Sequence, residues 1–114
     1  MIYIETGSKD VYFNFGLEYY FTAVKPLDET VFLFWRTDPT LMVGKYQNTL
    51  EEINRKYAEE HNIQIVRRMS GGGTIYTDPG GWQFTFIEYG DNTGIHFHEY
   101  IAPVIDALRS LNIP

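Results

Sequence analysis

The chain has 114 residues, a length that fits one compact domain or a part of a larger one. Its net charge of −6 argues against sequence-independent binding to nucleic acids, because such binding requires a basic surface. No cysteine occurs in the sequence, which excludes disulfides, thiolate metal sites and a thiol nucleophile within these residues.

The first half of the chain predicts one helix and three strands. MIYI alternates like a short first strand, and TVFLFW at residues 30–35 is typical of a buried strand. LMVG, which follows an Asp-Pro turn, predicts a short third strand. Asp10 is a suitable N-cap for a helix that ends before Pro26. Its apolar residues at helical spacing are Phe13, Leu17, Tyr20, Phe21 and Val24.

The second half predicts two helices and three strands. Thr49 and Glu52 form a capping-box pair that would start a helix running through Tyr57. IQIV predicts a strand leading into two arginines, TIYT a strand after three glycines, and WQFTFIEY a strand with its aromatic residues on one face. A last helix, with Pro103 at its start or at a kink, is indicated by Ile101, Ile105, Leu108 and Leu111.

The predicted order is therefore β-α-β-β-α-β-β-β-α. Helices mixed with adjacent strands on short turns predict an α+β (mixed α/β) fold. We expect a mixed, largely antiparallel sheet flanked by helices. The chain stops just after a helix, where another strand would be natural, so we expect the sheet to continue beyond Pro114.

The segment RRMSGGGTIYTD, which begins at Arg67, has three consecutive glycines between two arginines and a strand. Ordering glycine is entropically costly, so an ordered triple requires a reason. Without Cβ atoms, successive N–H groups can point into one concavity that binds an anion, and an arginine adds a planar fork for phosphate or carboxylate. Ser70 adds a hydroxyl donor. The alternative is an ordinary hairpin turn with solvated arginines.

Other kinds of site are disfavoured by the sequence. The segment lacks the Walker pattern and the dinucleotide-binding G-x-G-x-x-G pattern. His96 and His98 form an H-x-H pair, but with only His61 elsewhere and no cysteine, solvated histidines near a helix start are favoured over a zinc site. No basic, apolar leader and no run of membrane-spanning length is present, so the cytoplasm is the expected compartment.

RRMSGGGTIYTD resembles the signature of lipoate–protein ligases, in which two arginines, a variable residue, serine and three glycines lead into a short strand and a His-Asp pair. FNFGLEYYF is similar to the family's first helix, PTLMVGKYQNTLEEIN to its P-x-x-x-x-G-x-x-Q-N segment, and GWQFTFI to its aromatic-rich strand. The match is collinear over almost the whole chain. Thr77 departs from the usual histidine, and PGG at residues 79–81 replaces a usual Gly-Asn pair.

The resemblance implies that residues 1–114 are the N-terminal portion of a single biotin/lipoate ligase catalytic domain, truncated at Pro114. It implies that lipoate reacts with ATP to give lipoyl-AMP, with Mg²⁺ bound to the ATP. A lysine of an acceptor lipoyl domain in a 2-oxoacid dehydrogenase complex, or of the glycine-cleavage carrier protein, then takes the lipoyl group. The family's essential lysine would lie beyond Pro114, in the C-terminal remainder of the enzyme.

The family pattern can be carried over residue by residue. Arg68 would contact the nucleotide phosphate, and Ser70, Gly71 and Gly72 would shape its approach. Backbone groups along the adenylate would come from Gly73, Thr74, Ile75 and Tyr76. Gln47 and Asn48 would lie in a loop on the lipoyl side, and Asp78 would have a structural role. The aromatic residues of WQFTF would help to line an apolar tunnel.

Two alternatives of the same fold stay open. An octanoyl transferase would move its acyl group through a cysteine thioester without ATP, and that cysteine would also lie beyond Pro114. A non-catalytic half-domain would bind lipoate or nucleotide and be completed by another chain. The continuous SGGGTIY pattern favours the ligase over the transferase.

Overall fold

The computed structural model describes residues 1–90, 94 and 96–114. In these residues the predicted element order is confirmed, except that the predicted second helix is divided into two short ones. The strands are β1 (Ile2–Glu5), β2 (Val31–Trp35), β3 (Thr40–Val43), β4 (Gln64–Arg67), β5 (Ile75–Thr77) and β6 (Gln83–Ile87). The helices are α1 (Val11–Tyr19), which continues as a π-helical turn over Tyr20–Val24, α2 (Thr49–Glu52), α3 (Arg55–Glu60) and α4 (Phe97–Ser110).

The strands form two three-stranded mixed sheets, in the orders β1-β2-β6 and β4-β3-β5. The predicted α+β class is confirmed, but the prediction of one largely antiparallel sheet is wrong in detail. In each sheet the central strand is parallel to one neighbour and antiparallel to the other. The parallel pairs arise because helices lie between their strands: α1 follows β1, and α2 and α3 follow β3. Such a crossover returns the chain in its original direction.

The first helix packs one face against the first sheet. Asp10 is its N-cap as predicted, since Oδ1 accepts a hydrogen bond from the Tyr12 amide at 2.9 Å. Leu17 and Phe21 of the predicted apolar set pack against the core, but Phe13 is 53% exposed, and Val11 and Asn14 are the buried residues. Val11 packs with buried residues of β2 and β3, and the cluster consists of Val11, Val31, Leu33, Trp35 and Met42.

The segment after β3 is capped differently from the prediction. Asn48, and not Thr49, is the N-cap of α2, with its Oδ1 accepting from the Leu50 amide at 3.2 Å. The helix ends at Glu52 because Ile53 adopts an extended conformation and is buried beside Val43 and Ala58 in a second core. Burial of this apolar side chain therefore breaks the predicted helix into α2 and α3.

The last helix has an apolar stripe that the described residues leave partly uncovered. Pro103 lies inside α4, so of its two predicted places, the helix start or a kink, the start is excluded. Ile101, Ile105 and Leu108 are each about two-fifths exposed. Within the described ranges, no helix combines the length and the apolar character needed to cross a membrane.

Candidate functional site

The glycine loop, residues 68–74, connects strands that do not pair with each other. β4 and β5 lie on opposite sides of β3, so the loop crosses the end of β3. A hairpin would require β4 and β5 to be neighbours, and the hairpin alternative is therefore wrong. The crossing brings the glycines next to the β3–α2 loop, residues 44–48, which leaves β3 at the same edge.

Arg67 holds the β3–α2 loop. Its Nη1 donates to the carbonyl oxygens of Gly44 at 3.0 Å and Gln47 at 2.7 Å, and its Nη2 donates to the Thr49 hydroxyl at 2.8 Å. The planar guanidinium can reach several acceptors at once because its donors are arranged as a rigid fork. The first arginine of the pair is thus engaged with protein acceptors and not merely solvated.

Arg68 is directed to the glycine loop itself. Its Nη2 donates to the carbonyl oxygens of Gly73 at 2.6 Å and Gly71 at 3.1 Å. Its Nε is buried and has no hydrogen-bond partner among the described residues. A buried N–H without a partner is energetically costly, and such a group is satisfied when a ligand oxygen or a water reaches it. The Nε–H of Arg68 is therefore a buried donor that has no acceptor among the described residues.

The two loops are also joined by hydrogen bonds through Gln47. Its Oε1 accepts from the Gly44 amide at 2.8 Å and from the Thr74 hydroxyl at 2.9 Å. The Lys45 amide donates to the Ser70 carbonyl oxygen at 2.9 Å. Gln47 Oε1 therefore joins the β3–α2 loop to Thr74, the last residue of the glycine loop.

A cavity of about 590 Å³ lies where α1, the two sheets and the glycine loop meet. Its apolar lining includes Phe15 of α1, Trp35 of β2, Met42 of β3 and Ile75 of β5. Arg68, Met69 and Ser70 of the glycine loop lie on the same cavity. Polar groups of the glycine loop and apolar side chains therefore line one space.

Glu18 and Thr85 form a polar pair within this cavity. The Thr85 hydroxyl donates to Glu18 Oε1. Burial raises the pKa of the Glu18 carboxyl, and the hydrogen bond from Thr85 opposes that rise. A carboxyl with a raised pKa is more readily protonated, which lets it remain beside apolar neighbours at lower cost.

Sequence reasoning did not select the residues that line the deep part of the cavity. They are Phe15, Glu18, Trp35, Met42 and Thr85. One signal was available: Val11, Asn14 and Glu18 are spaced i, i+3, i+7, which places two polar residues on the inner face of a helix. An inward polar residue requires a partner: Asn14 Nδ2 donates to the Ser8 carbonyl oxygen and Glu18 accepts from Thr85, whereas the buried Asn14 Oδ1 has no partner among the described residues.

The other predicted site residues lie in several surroundings. Ile75 lines the cavity and is 42% exposed, and its strand neighbour Tyr76, which does not line the cavity, is 54% exposed. Asn48 caps α2, and Asp78 Oδ1 accepts from the Gly80 amide at 2.8 Å within the PGG turn. Thr77, which stands where the family usually has histidine, is buried and contacts the Thr37 hydroxyl at 2.8 Å.

The aromatic residues of β6 lie on the other face of the first sheet from Thr85. Phe84 and Phe86 pair in register with Phe34 and Phe32 of β2. Trp82 stacks on Phe34 with ring centroids 4.2 Å apart. These side chains form an aromatic surface that faces α4, where Phe86 meets the Tyr100 ring at 5.2 Å.

Potential metal ligands are dispersed. Across the residues for which the structure gives positions, no three His, Cys, Asp or Glu side chains are grouped so that they could hold a metal ion. His96 precedes α4 and its Nδ1 lies 3.6 Å from Glu99 Oε1. His98 is in the first turn of the same helix.

The family profile of the lipoyl protein ligase A/B catalytic domain matches residues 10–114. The chain belongs to this family. Among its lipoyl protein ligase relatives, lipoate–protein ligase 1 of Staphylococcus aureus is 43% identical over 101 residues, a match that covers 88% of this chain and 31% of that protein. The chain spans about a third of the length of the curated relatives it matches.

Solved structures show the same lipoyl protein ligase fold. P. falciparum LipL1, in complex with lipoate, superimposes with a TM-score of 0.82 over 96% of this chain and 35% of that chain; at 23% identity this likeness shows the fold. A lipoate-protein ligase A bound with ATP superimposes with a TM-score of 0.77 at 26% identity, over 97% of this chain and 46% of that chain.

Proposed function

We propose that this chain belongs to an ATP-dependent lipoate–protein ligase. The observation that carries the proposal is the cavity in which Arg68 and Ser70 lie together with the apolar Phe15, Trp35 and Met42. Lipoate has the same division, because a carboxylate stands at one end and an apolar chain with a dithiolane ring at the other. The carboxylate would lie at the glycine loop and the chain would extend towards Glu18.

The chemistry proposed for the first step needs no enzyme nucleophile. The lipoate carboxylate attacks the α-phosphorus of ATP, pyrophosphate leaves, and lipoyl-AMP forms. Negative charge accumulates on the phosphate oxygens in the transition state, and a fixed guanidinium beside them lowers its energy. Arg68 is the residue proposed for this role, and its unpartnered Nε supports the assignment.

In the second step, a lysine amine of an acceptor lipoyl domain attacks the carbonyl carbon of lipoyl-AMP, and AMP leaves. The glycine loop is proposed to pass along the adenylate, with backbone groups of Gly73, Thr74, Ile75 and Tyr76 beside it. A Cβ atom built on Gly73 meets no atom within 4 Å, so there is open space next to this backbone. Ser70, Gly71 and Gly72 are proposed to shape the approach of the phosphate.

Magnesium is proposed to be held mainly by ATP. The described residues offer no group of three carboxylate or imidazole ligands, whereas Mg²⁺ commonly keeps several waters and binds phosphate oxygens. When bound, the ion would neutralise charge on the triphosphate and favour the departure of pyrophosphate.

We further propose that residues 1–114 are the N-terminal portion of one catalytic domain. An apolar groove of about 540 Å³ runs between α4 and the aromatic surface of the first sheet, and Phe32, Phe34 and Leu108 are among its lining residues. The rest of the domain would cover this groove and supply the essential lysine. Residues 1–114 alone should therefore self-associate. They should also leave an apo-lipoyl domain unmodified after incubation with ATP, magnesium and lipoate, which mass spectrometry of the acceptor would show.

The deciding experiment is lipoate-dependent exchange of labelled pyrophosphate into ATP, measured with the full-length protein. The ligase should catalyse the exchange without an acceptor, because the first step is reversible. Octanoyl transfer from a carrier protein without exchange would replace the ligase by the transferase. Binding of lipoate or ATP with neither reaction would indicate a non-catalytic half-domain.

A further inference from the structure

The two adjacent arginines make different kinds of contact. Arg68 lines the cavity, whereas the guanidinium of Arg67 bonds to the β3–α2 loop. We propose that Arg67 and Gln47 are positioning residues, which set the place of the glycine loop through the β3–α2 loop and do not themselves contact the substrate. The catalytic part of this inference rests on the proposed function.

The sheet register brings the two loops together. β3 and β4 are parallel, and Val43 is paired with Arg67, so both loops begin at the same edge of the second sheet. The Arg68 amide also donates to the Val43 carbonyl oxygen at 2.8 Å, which extends the pairing by one residue. The Arg67 side chain therefore starts beside the β3–α2 loop and reaches its carbonyl groups directly.

The Arg67 guanidinium donates hydrogen bonds to four acceptors in residues 44–49. The carbonyl oxygens of Gly44, Lys45 and Gln47 all lie within 3.3 Å of Nη1, and the Thr49 hydroxyl accepts from Nη2. Hydrogen bonds from a charged donor are stronger than neutral ones. The β3–α2 loop is thus held by several hydrogen bonds from one side chain.

Gln47 transmits this constraint to the glycine loop. Its backbone carbonyl accepts from Arg67, and its side-chain oxygen accepts from both the Gly44 amide and the Thr74 hydroxyl. Thr74 is the residue between the glycines and β5. A shift of Gln47 would therefore move Thr74 and the start of β5, which are proposed to lie along the adenylate.

The test compares backbone hydrogen exchange of the Lys45 and Arg68 amides, which donate at the junction of the two loops, in the full-length protein and its variants without substrate. Arg67→Lys keeps the charge but loses the fork, and Gln47→Leu loses the acceptor, so loop amides should exchange about tenfold faster in both. Gln47→Glu keeps an acceptor oxygen and should restore slow exchange at neutral pH. Arg55→Ala removes a positive charge from the exposed face of α3 and is the matched control.

Kinetics supply a second measurement. A reacting group displaced by about 1 Å can lose about 100-fold in rate, so kcat/KM for pyrophosphate exchange should fall by about 10- to 100-fold in Arg67→Lys with an unchanged pH profile. If Arg67→Lys or Gln47→Leu fails to fold, Thr74→Val removes only the last hydrogen bond of the series and should still make the Lys45 and Arg68 amides exchange faster.

Two results would overturn the proposal. Exchange of the Lys45 and Arg68 amides equal to that of the parent protein in Arg67→Lys, Gln47→Leu and Thr74→Val would mean that the β3–α2 loop does not hold the glycine loop. Lost ATP affinity in Arg67→Lys with unchanged loop exchange would make Arg67 a direct ligand group. Because hydrogen exchange is measured without substrate, it decides the inference even if the parent protein lacks ligase activity.

Discussion

Gly44 and Gly72 approach so closely that a Cβ atom on Gly44 would lie 1.9 Å from the Gly72 carbonyl oxygen. Gly72 has a φ of +96°, a conformation that residues with side chains rarely adopt. The glycine loop can therefore cross the end of β3 only because neither residue has a side chain. This contact sets how deeply the loop lies against the second sheet.

Gly44→Ala should destabilise the protein by about 1–3 kcal/mol, the usual cost of forcing extra atoms into packed structure. The colliding atom belongs to the backbone, so the glycine loop must move. Urea unfolding measures the effect. Gly16→Ala is the control: it lies inside α1 with nothing within 4 Å of its Cβ position, and alanine there should stabilise by about 0.5–1 kcal/mol. An unchanged free energy of unfolding in Gly44→Ala would mean that the glycine loop can move away from residue 44 at little cost.

Arg68→Ala in the full-length protein should weaken binding of ATP or lipoyl-AMP by about 1.5–3 kcal/mol, as expected for a charge-assisted hydrogen bond. Calorimetric titration provides the affinity. Arg109→Ala, at the exposed end of α4, is a control for loss of one positive charge. Unchanged affinity in Arg68→Ala would remove this residue from the proposed site.

Gly73→Val should reduce the same affinity at least as much while leaving the folded structure free of new clashes, since its Cβ position is open. The valine would occupy space through which the ligand is proposed to pass. Titration with ATP and urea unfolding of the same variant separate the two effects. Equal affinity for parent and Gly73→Val would show that the ligand lies elsewhere.

Glu18→Gln should change how stability depends on pH. Burial raises the pKa of Glu18 above its ordinary value of 4.5, so the folded state holds the proton more tightly than the unfolded state does. The resulting stability is fully present below the unfolded pKa and is lost as the pH rises through the folded pKa. The parent should therefore lose stability relative to Glu18→Gln as the pH rises above the ordinary glutamate pKa of 4.5 and through the raised pKa of the folded state.

Unfolding free energies of both proteins across this range test the prediction. Glutamine can still accept the hydrogen bond from Thr85, so the variant changes chiefly the ionisation. Glu60→Gln, on the exposed face of α3, should follow the parent. A constant difference between the parent and Glu18→Gln at all pH values would contradict the role assigned to burial.

Thr37 and Thr77 should be energetically coupled. Their hydroxyls form a buried hydrogen bond of 2.8 Å between the segment after β2 and the end of β5, and so between the two sheets. Either Thr→Val change leaves the other hydroxyl unsatisfied and should cost about 1–3 kcal/mol, whereas the double variant should cost less than the sum of the two. Additive losses in a double-mutant cycle would indicate that the bond is not what stabilises this junction.

Much of the local structure follows from local chemistry. The Asp10 side chain predicted the start of α1, and the β-branched and aromatic runs predicted β2 and β6, because capping and strand propensity act over a few residues. The T-x-x-E pattern failed at Thr49, since Asn48 is an equally good cap one residue earlier. The break at Ile53 was not predictable locally, because it depends on a core that distant residues complete.

The sequence by itself determined the element types, the glycine-rich loop beside an arginine and the resemblance to lipoate–protein ligases, since each depends on residue identity and spacing. Only the tertiary structure decided that β4 and β5 flank β3, that Arg67 and Arg68 have separate contacts, and that Glu18 meets Thr85 in one cavity with Arg68. The physical reason is that strand order and helix orientation depend on burial of surfaces far apart in the chain. A pattern of neighbours along the sequence does not contain that information.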